Sequence, residues 1–268
     1  MIRFILIAIF LPAFASAQND TALQVLLHLN ETVHYASVDN LDNVYLVSAS
    51  GHIKKLDARG DSVAVYNQQK KYGELTDIDV SNLLKPVLFY KDFSTVVVLD
   101  RWLAEQATID LRRSGILQPT AVGLSHDNQL WVFDSWDNKL KKIDEQGKLL
   151  LETTDLRTLF STAISPQQIL RDNGLVYLID SLHGVYVFDI YGTFKKKLPA
   201  PPSSSVGVYN NLIFYTTPSV VVIEDPASFR RKEITLPISS VIYVHAQTVL
   251  NRLLLWNEKE VMICRFRY

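Results

Sequence analysis

Short apolar runs separated by compact polar breaks recur along almost the whole chain. In the stretch Gln118–Gly147 an apolar run after Pro119 ends at Ser125-His126-Asp127-Asn128, and Leu130-Trp131-Val132-Phe133 follows. The break Asp134–Asn138 intervenes, and Leu140–Ile143 then leads to Asp144 and Gly147. Runs this short, bounded by turn residues, predict strands rather than helices. The stretch therefore reads as three strands joined by two tight turns, one unit of an antiparallel meander.

The unit repeats. A first copy covers Val33–Val38, Val44–Val47, His52–Leu56 and Ser62–Tyr66; a second covers Asp77–Val80, Val87–Tyr90, Thr95–Leu99 and Thr108–Leu111. The third is the stretch above, with Leu149–Thr153 as its fourth strand. A fourth copy has Pro166–Leu170, Leu175–Ile179, Val185–Phe188 and Phe194–Leu198. After the Pro/Ser-rich link Pro199–Ser205, a fifth has Val206–Tyr209, Leu212–Tyr215, Val220–Ile223 and Arg231–Leu236. The last unit has three strands: Val241–Val244, Leu253–Trp256 and Val261–Phe266.

An aspartate closes each third strand, at Asp57, Asp100, Asp144, Asp189 and Asp225, with spacings of 43, 44, 45 and 36. Four strands every 40 to 45 residues or so is the period of a propeller blade. The aspartate can bond the backbone of its own turn, and Gly60, Gly147 and Gly192 permit positive φ there. The alternating run Thr21–Leu29 stands alone at one end, while the last unit lacks one strand at the other. Pairing the two termini in one sheet closes the ring and removes two free edges. The predicted fold is all-β: a six-bladed β-propeller of four antiparallel strands per blade, the last blade completed by the N-terminal strand.

The motif Gln118-Pro119…Asn128-Gln129-Leu130-Trp131-Val132-Phe133-Asp134-Ser135…Asn138-Lys139-Leu140…Ile143-Asp144…Gly147 resembles the NHL-type repeat, and Pro166…Tyr177-Leu178-Ile179-Asp180-Ser181…Phe188-Asp189…Gly192 fits nearly as well. The first unit is a fair match and the others are degenerate. The resemblance implies a six-bladed propeller across nearly all of the mature chain and says little about ligands. Where the repeat carries Arg at the start of the third strand, this chain has Leu140 or Val185, so the RNA-binding role of some NHL domains is not carried over.

Composition narrows the setting. The 268 residues are 48% hydrophobic, ample for a core, and the net charge of −1 argues against a nucleic-acid partner. Arg3, the apolar run Phe4–Leu11 and the small residues Ala15-Ser16-Ala17 read as a signal peptide over 1–17, leaving 18–268 as one propeller domain. The apolar run is too short for a membrane span. The lone cysteine, Cys264, cannot form an internal disulfide and reads as a buried thiol. An exported, cysteine-poor chain points to a bacterial periplasmic, extracellular or cell-surface setting.

In a propeller, the turns between second and third strands share one face with the links between blades. The candidate contact residues there are Trp136, Asp137 and Asn138, beside Asp180 and His183, with Asp92 and Phe93 on the preceding blade's turn. An exposed Trp among polar groups suits a contact anchor; the competing reading is that Asp134 and Asp180 cap their own turns and Trp136 lies over a neighbouring blade. The six histidines form no H-x-H or H-x-x-H pair, so no metal site is expected. The basic clusters Lys54-Lys55, Arg112-Arg113, Lys141-Lys142, Lys195–Lys197 and Arg230–Lys232 are expected on the outer rim, where charge blocks edge-to-edge aggregation. Six-bladed calcium lactonases converge several oxygen ligands on the axis; here the inner strands offer Glu74, Asp77 and Asp79 from one blade but Thr120, Gln167, Gln168, Val206 and Val241 elsewhere. The expected function is a non-enzymatic, cofactor-free module that binds envelope or secreted proteins. Two alternatives stay open: a metal-dependent propeller hydrolase, lactonase or lyase, and a carbohydrate-binding propeller.

Overall fold

The computed structural model describes residues 23–201, 204–236, 243 and 245–267. The signal-peptide reading over 1–17 lies outside them. An N-terminal strand, β1 (Leu23–Leu29), precedes blade 1, which comprises β2 (Tyr35–Val38), β3 (Val44–Val47), β4 (Ile53–Leu56) and β5 (Ser62–Tyr66). A one-turn helix, α1 (Gln69–Tyr72), leads to blade 2, with β6 (Asp77–Asp79), β7 (Val87–Tyr90), β8 (Thr95–Leu99) and β9 (Glu105–Asp110). Blade 3 has β10 (Pro119–Leu124), β11 (Leu130–Asp134), β12 (Lys139–Ile143) and β13 (Leu149–Glu152), followed by the short helix α2 (Leu156–Phe160). Blade 4 has β14 (Gln168–Asp172), β15 (Leu175–Asp180), β16 (Gly184–Asp189) and β17 (Phe194–Leu198). Blade 5 has β18 (Ser205–Tyr209), β19 (Leu212–Thr216), β20 (Val220–Asp225) and β21 (Arg230–Thr235). Blade 6 has β22 (His245–Val249), β23 (Arg252–Trp256) and β24 (Val261–Phe266).

Each blade is a four-stranded antiparallel sheet in sequence order, and blade 6 has the order β1-β24-β23-β22. The ring closes as expected: Leu23 pairs with Phe266 and Leu29 with Val261. The inner strand of blade 6 differs from expectation. It is His245–Val249, not Val241–Val244; residues 241, 242 and 244 lie outside the described set. The apolar run drew the strand too early, because the true strand carries polar residues toward the channel.

Six hydrophobic clusters hold the ring, one at each blade interface among the described residues. Blades 3 and 4 meet through Trp131, Phe133, Leu178, Tyr186 and Phe188, while blades 6 and 1 meet through Val38, Leu46, Leu254 and Trp256. The second strands β3, β7, β11 and β23 are buried along their whole length, since both faces are covered by neighbouring blades. Inner strands approach closely where side chains vanish: a Cβ on Gly123 would lie 2.5 Å from the Ile169 carbonyl oxygen of the next blade, and one on Gly207 2.3 Å from that of Thr248.

The turn chemistry is repetitive. Asp57 Oδ1 accepts from Arg59 and Asp61 N–H, and Asp144 Oδ1 from Gln146 and Lys148 N–H. Asp100 and Asp189 do the same two and four residues on. The glycines expected at positive φ have it: Gly60 at 91°, Gly147 at 81° and Gly192 at 79°. One expectation fails. Three of the third-strand lysines are not on the rim: Lys55, Lys141 and Lys142 are 4%, 5% and 7% exposed. Their stems pack inside the blade while their ammonium groups find the Arg101 carbonyl, Asp134 and Asp127. Lys55 and Lys142 lie over the rings of their cross-strand partners Tyr45 and Trp131. The fourth-strand cluster Lys195–Lys197 is exposed, as an edge requires.

Candidate functional site

The turns between second and third strands and the links between blades form one face. Asp134 closes β11 and is fully buried. Its carboxylate accepts from the N–H groups of Leu117, Gln118 and Trp136 and from Lys141 Nζ at 2.8 Å. Lys141 also bridges Asp137 at 2.7 Å. Burial alone would raise the Asp134 pKa, but Lys141 and the two link N–H groups outweigh it and hold the carboxyl below its ordinary range. Asp180 repeats the device in blade 4: burial opposes ionisation, but Ser165 N–H, the His183 ring and two turn N–H groups keep its pKa low.

Turns of this face present large apolar side chains to solvent. Phe93 in blade 2 is 59% exposed, Trp136 in blade 3 is 64% and Leu182 in blade 4 is 83%. Two link residues of the same face, Leu117 and Leu159, are also exposed. Trp136 does not fold over the neighbouring blade. Among the residues singled out from sequence, Asp92, Phe93, Trp136 and His183 are exposed on this face, and Asp137 is half-buried. Asn138 and Asp180 face inward: Asn138 is 1% exposed and its amide donates to the Ile164 carbonyl of the following link.

A second concave feature lies on the axis. A cavity of about 80 Å³ is lined by the inner strands of five blades, including Tyr35, Asp77, Asp79, Gln168, Arg171 and Gln247. Asp79 is tied down, accepting from Ser81 N–H and, across the blade boundary, from Leu124 N–H. Among the described residues Asp77 accepts only from Ile78 N–H, through Oδ1. Burial and then the charge of Asp79 push the Asp77 carboxyl up to about 7. Tyr35 accepts from Gln247 Nε2 at 3.2 Å, and burial and then Asp77 raise its pKa above the usual phenol range. Sequence reasoning noted Asp77 and Asp79 as axial but missed Tyr35 and Gln247, which come from opposite ends of the chain.

Among the described residues no group of three or more His, Cys, Asp or Glu is placed to hold a metal ion, and no helix is long and apolar enough to cross a membrane. His28 pairs with Glu260, His183 with Asp180, and His245 stacks on Trp256.

No family model matches the chain, and no curated protein matches it. Solved structures share its shape. One is virginiamycin B lyase from Staphylococcus aureus with quinupristin, at 12% identity, 91% of this chain, 99% of that chain and a TM-score of 0.62. Another is the WD40 domain of Neurospora crassa Pan2, at 14% identity, 89% of this chain, 80% of that one and a TM-score of 0.59. A third is a Bacteroides fragilis protein described as exported, at 8% identity, 93% and 97% coverage and a TM-score of 0.63. At such identities the likeness concerns the propeller fold alone.

Proposed function

We propose that this chain is an exported, non-enzymatic β-propeller that binds a protein partner in a bacterial periplasmic, outer-membrane or surface assembly. The observation that carries the reading is the arc of Phe93, Trp136 and Leu182, large apolar side chains exposed on one face of three consecutive blades. Exposed apolar groups on rigid, polar-rimmed turns mark interaction surfaces. Asp134 and Asp180 fix the turns of Trp136 and Leu182 from beneath. The NHL-type motif of blades 3 and 4 and the signal-like residues 1–17 support the finer assignment of repeat type and export.

The metal-dependent hydrolase or lyase reading has weaker support, because the axial carboxylates Asp77 and Asp79 come from one strand and the calcium chemistry needs six to eight oxygen ligands. Carbohydrate binding through Trp136 would use the same face. Quantitative affinity purification from envelope extracts separates these readings. The wild-type protein is expected to retain a stoichiometric protein partner that the triple variant Phe93→Ala/Trp136→Ala/Leu182→Ala loses. Retention unchanged in the variant, or recovery of glycan without protein, would overturn the reading.

A further inference from the structure

Lysine and arginine are unevenly spread over the outermost strands of the six blades. β1, β5, β9 and β13 carry none. β17 carries Lys195, Lys196 and Lys197, β21 carries Arg230, Arg231 and Lys232, and all six are exposed. These two strands edge the neighbouring blades 4 and 5. Charge that only kept edges apart would be needed on every blade, so its restriction to two neighbours asks for a partner. Lys195 pairs with Asp189 at 2.9 Å and Arg231 with Glu233 at 2.8 Å. Lys196, Lys197, Arg230 and Lys232 make no ion pair among the described residues; Lys197 lies over the Tyr186 ring. Asp225 stands across the ladder from Arg230, but its carboxylate serves its own turn, accepting from Ala227 N–H and the Ser228 hydroxyl.

Each basic strand follows a turn that holds out an aromatic ring. Tyr191, between β16 and β17, is 71% exposed, and Phe229, between β20 and β21, is 83% exposed. The turns are tied down: Tyr191 N–H donates to Asp189 Oδ1, and Phe229 N–H to the Asp225 carbonyl at 2.8 Å. Antiparallel strands put these turns at the end of the ring opposite Phe93, Trp136 and Leu182. Phe229 has a φ of 58°, a left-handed conformation that bulky residues rarely adopt. The corresponding turns of blades 1, 3 and 4 use glycine for positive φ. The Phe229 ring gains little burial in return, and strain of this kind persists where function needs it. A groove of about 390 Å³, lined by Leu212, Ile223, Asp225 and the three cations of β21, lies on the same blade.

Aromatic tips beside unpaired cations fit a surface that is anionic outside and apolar beneath. Aromatic rings settle at the headgroup level of a bilayer, and each Lys or Arg close to an anionic leaflet strengthens binding about fivefold. An acidic protein would match the charges, but protein contacts bury their aromatic anchors in packed pockets, and these two stand on projecting turns. We infer that the outer corner of blades 4 and 5 docks on an anionic phospholipid surface. Tyr191 and Phe229 enter the headgroup layer, and Lys196, Lys197, Arg230 and Lys232 meet the phosphates. Docking there leaves the face of Trp136 turned away from the lipid.

Sedimentation of the full chain with vesicles tests this, comparing phosphatidylcholine alone with an equal mixture of phosphatidylcholine and phosphatidylglycerol. The apolar run near the N-terminus is common to all variants, so differences between them report the corner. Binding to mixed vesicles is expected to be at least tenfold tighter than to phosphatidylcholine, and to weaken as salt rises. Lys196→Gln/Arg230→Gln/Lys232→Gln should weaken it at least tenfold. Phe229→Asn, which suits a left-handed backbone, should weaken it severalfold with no fall in Tm; a merely structural residue would lower Tm and leave vesicle binding unchanged. Trp102→Ala, an exposed aromatic on the matching turn of blade 2 beside the cation-free β9, should bind as wild type does. Should the triple variant fail to fold, Phe229→Asn and the salt dependence decide. Equal binding to both vesicle types, or binding unchanged in the triple variant or in Phe229→Asn, would overturn the proposal. Capture by immobilised polyglutamate without vesicle binding would also overturn it, assigning the corner to an acidic protein. Partner capture through Trp136 is a separate readout on the opposite face, so failure of one proposal leaves the other standing.

Discussion

Asp134 and Asp77 lie on adjacent blades, and burial penalises the charge of both. Their carboxyl groups nevertheless move in opposite directions, below the ordinary range for Asp134 and up to about 7 for Asp77. The difference lies in the partners. Asp134 gathers three backbone N–H groups and a lysine that is itself 5% exposed; Asp77 has one intrastrand N–H and a second carboxylate nearby. The first is a structural joint between a turn and a link. The second is a channel-facing carboxyl held toward its neutral form by burial and by its neighbour's charge. The sign of the shift thus follows the partners each carboxyl finds, not burial alone.

The strongest way to break the comparison is to remove the joint. Asp134→Ala leaves Lys141 and three N–H groups without their acceptor, with Asp137 the remaining partner of the lysine. A loss of about 3–5 kcal/mol in denaturant unfolding is expected. A loss below about 1 kcal/mol would show that the network is dispensable. Next comes Gly123→Ala, which forces a Cβ to within 2.5 Å of the Ile169 carbonyl oxygen; chemical denaturation should show a loss of about 2–3 kcal/mol.

Asp77→Asn should do the reverse of Asp134→Ala. A raised carboxyl pKa means stability that is complete below the unfolded value near 3.8 and is lost as pH rises through about 7. Removing the carboxyl should therefore stabilise the protein at pH 8 by about 1–2 kcal/mol, the full linkage being discounted because Asp77 faces the channel, and change little at pH 5. For Asp134 and Asp180 the sign is opposite: their depressed pKa values give stability present above pH about 4 and lost on further acidification. Melting curves of wild type against pH should fall at the acid end, and a flat acid limb would contradict the assignment. The smallest effect belongs to Trp136→Ala, expected within about 0.5 kcal/mol of wild-type stability because the side chain is 64% exposed; a larger loss by thermal melt would make Trp136 a packing residue.

Most of the architecture was legible because blade geometry leaves local marks. The turn aspartates, the fully apolar second strands and the orphan N-terminal strand each report one physical requirement, and they agree. The inner strand of blade 6 was misread because His245, Ala246 and Gln247 look like loop residues until the channel they line exists. Lys55, Lys141 and Lys142 were misplaced for a related reason: lysine signals surface, and only tertiary structure brings an acceptor to its buried head. In the axial cavity, the D-I-D pattern of Asp77-Ile78-Asp79 put two carboxylates on one side of a strand. The Tyr35–Gln247 bond spans 212 residues, and no local pattern announces it. The exposure of Phe93, Trp136 and Leu182 was equally beyond local reading, since each could have folded over its neighbour.

A carboxyl-carbon NMR titration of labelled protein, following Asp77 and Asp134 together, probes the contrast most directly. The account predicts a midpoint of about 7 for Asp77 and a midpoint for Asp134 below the ordinary 3.8. Midpoints for both residues in the ordinary carboxylate range would contradict it.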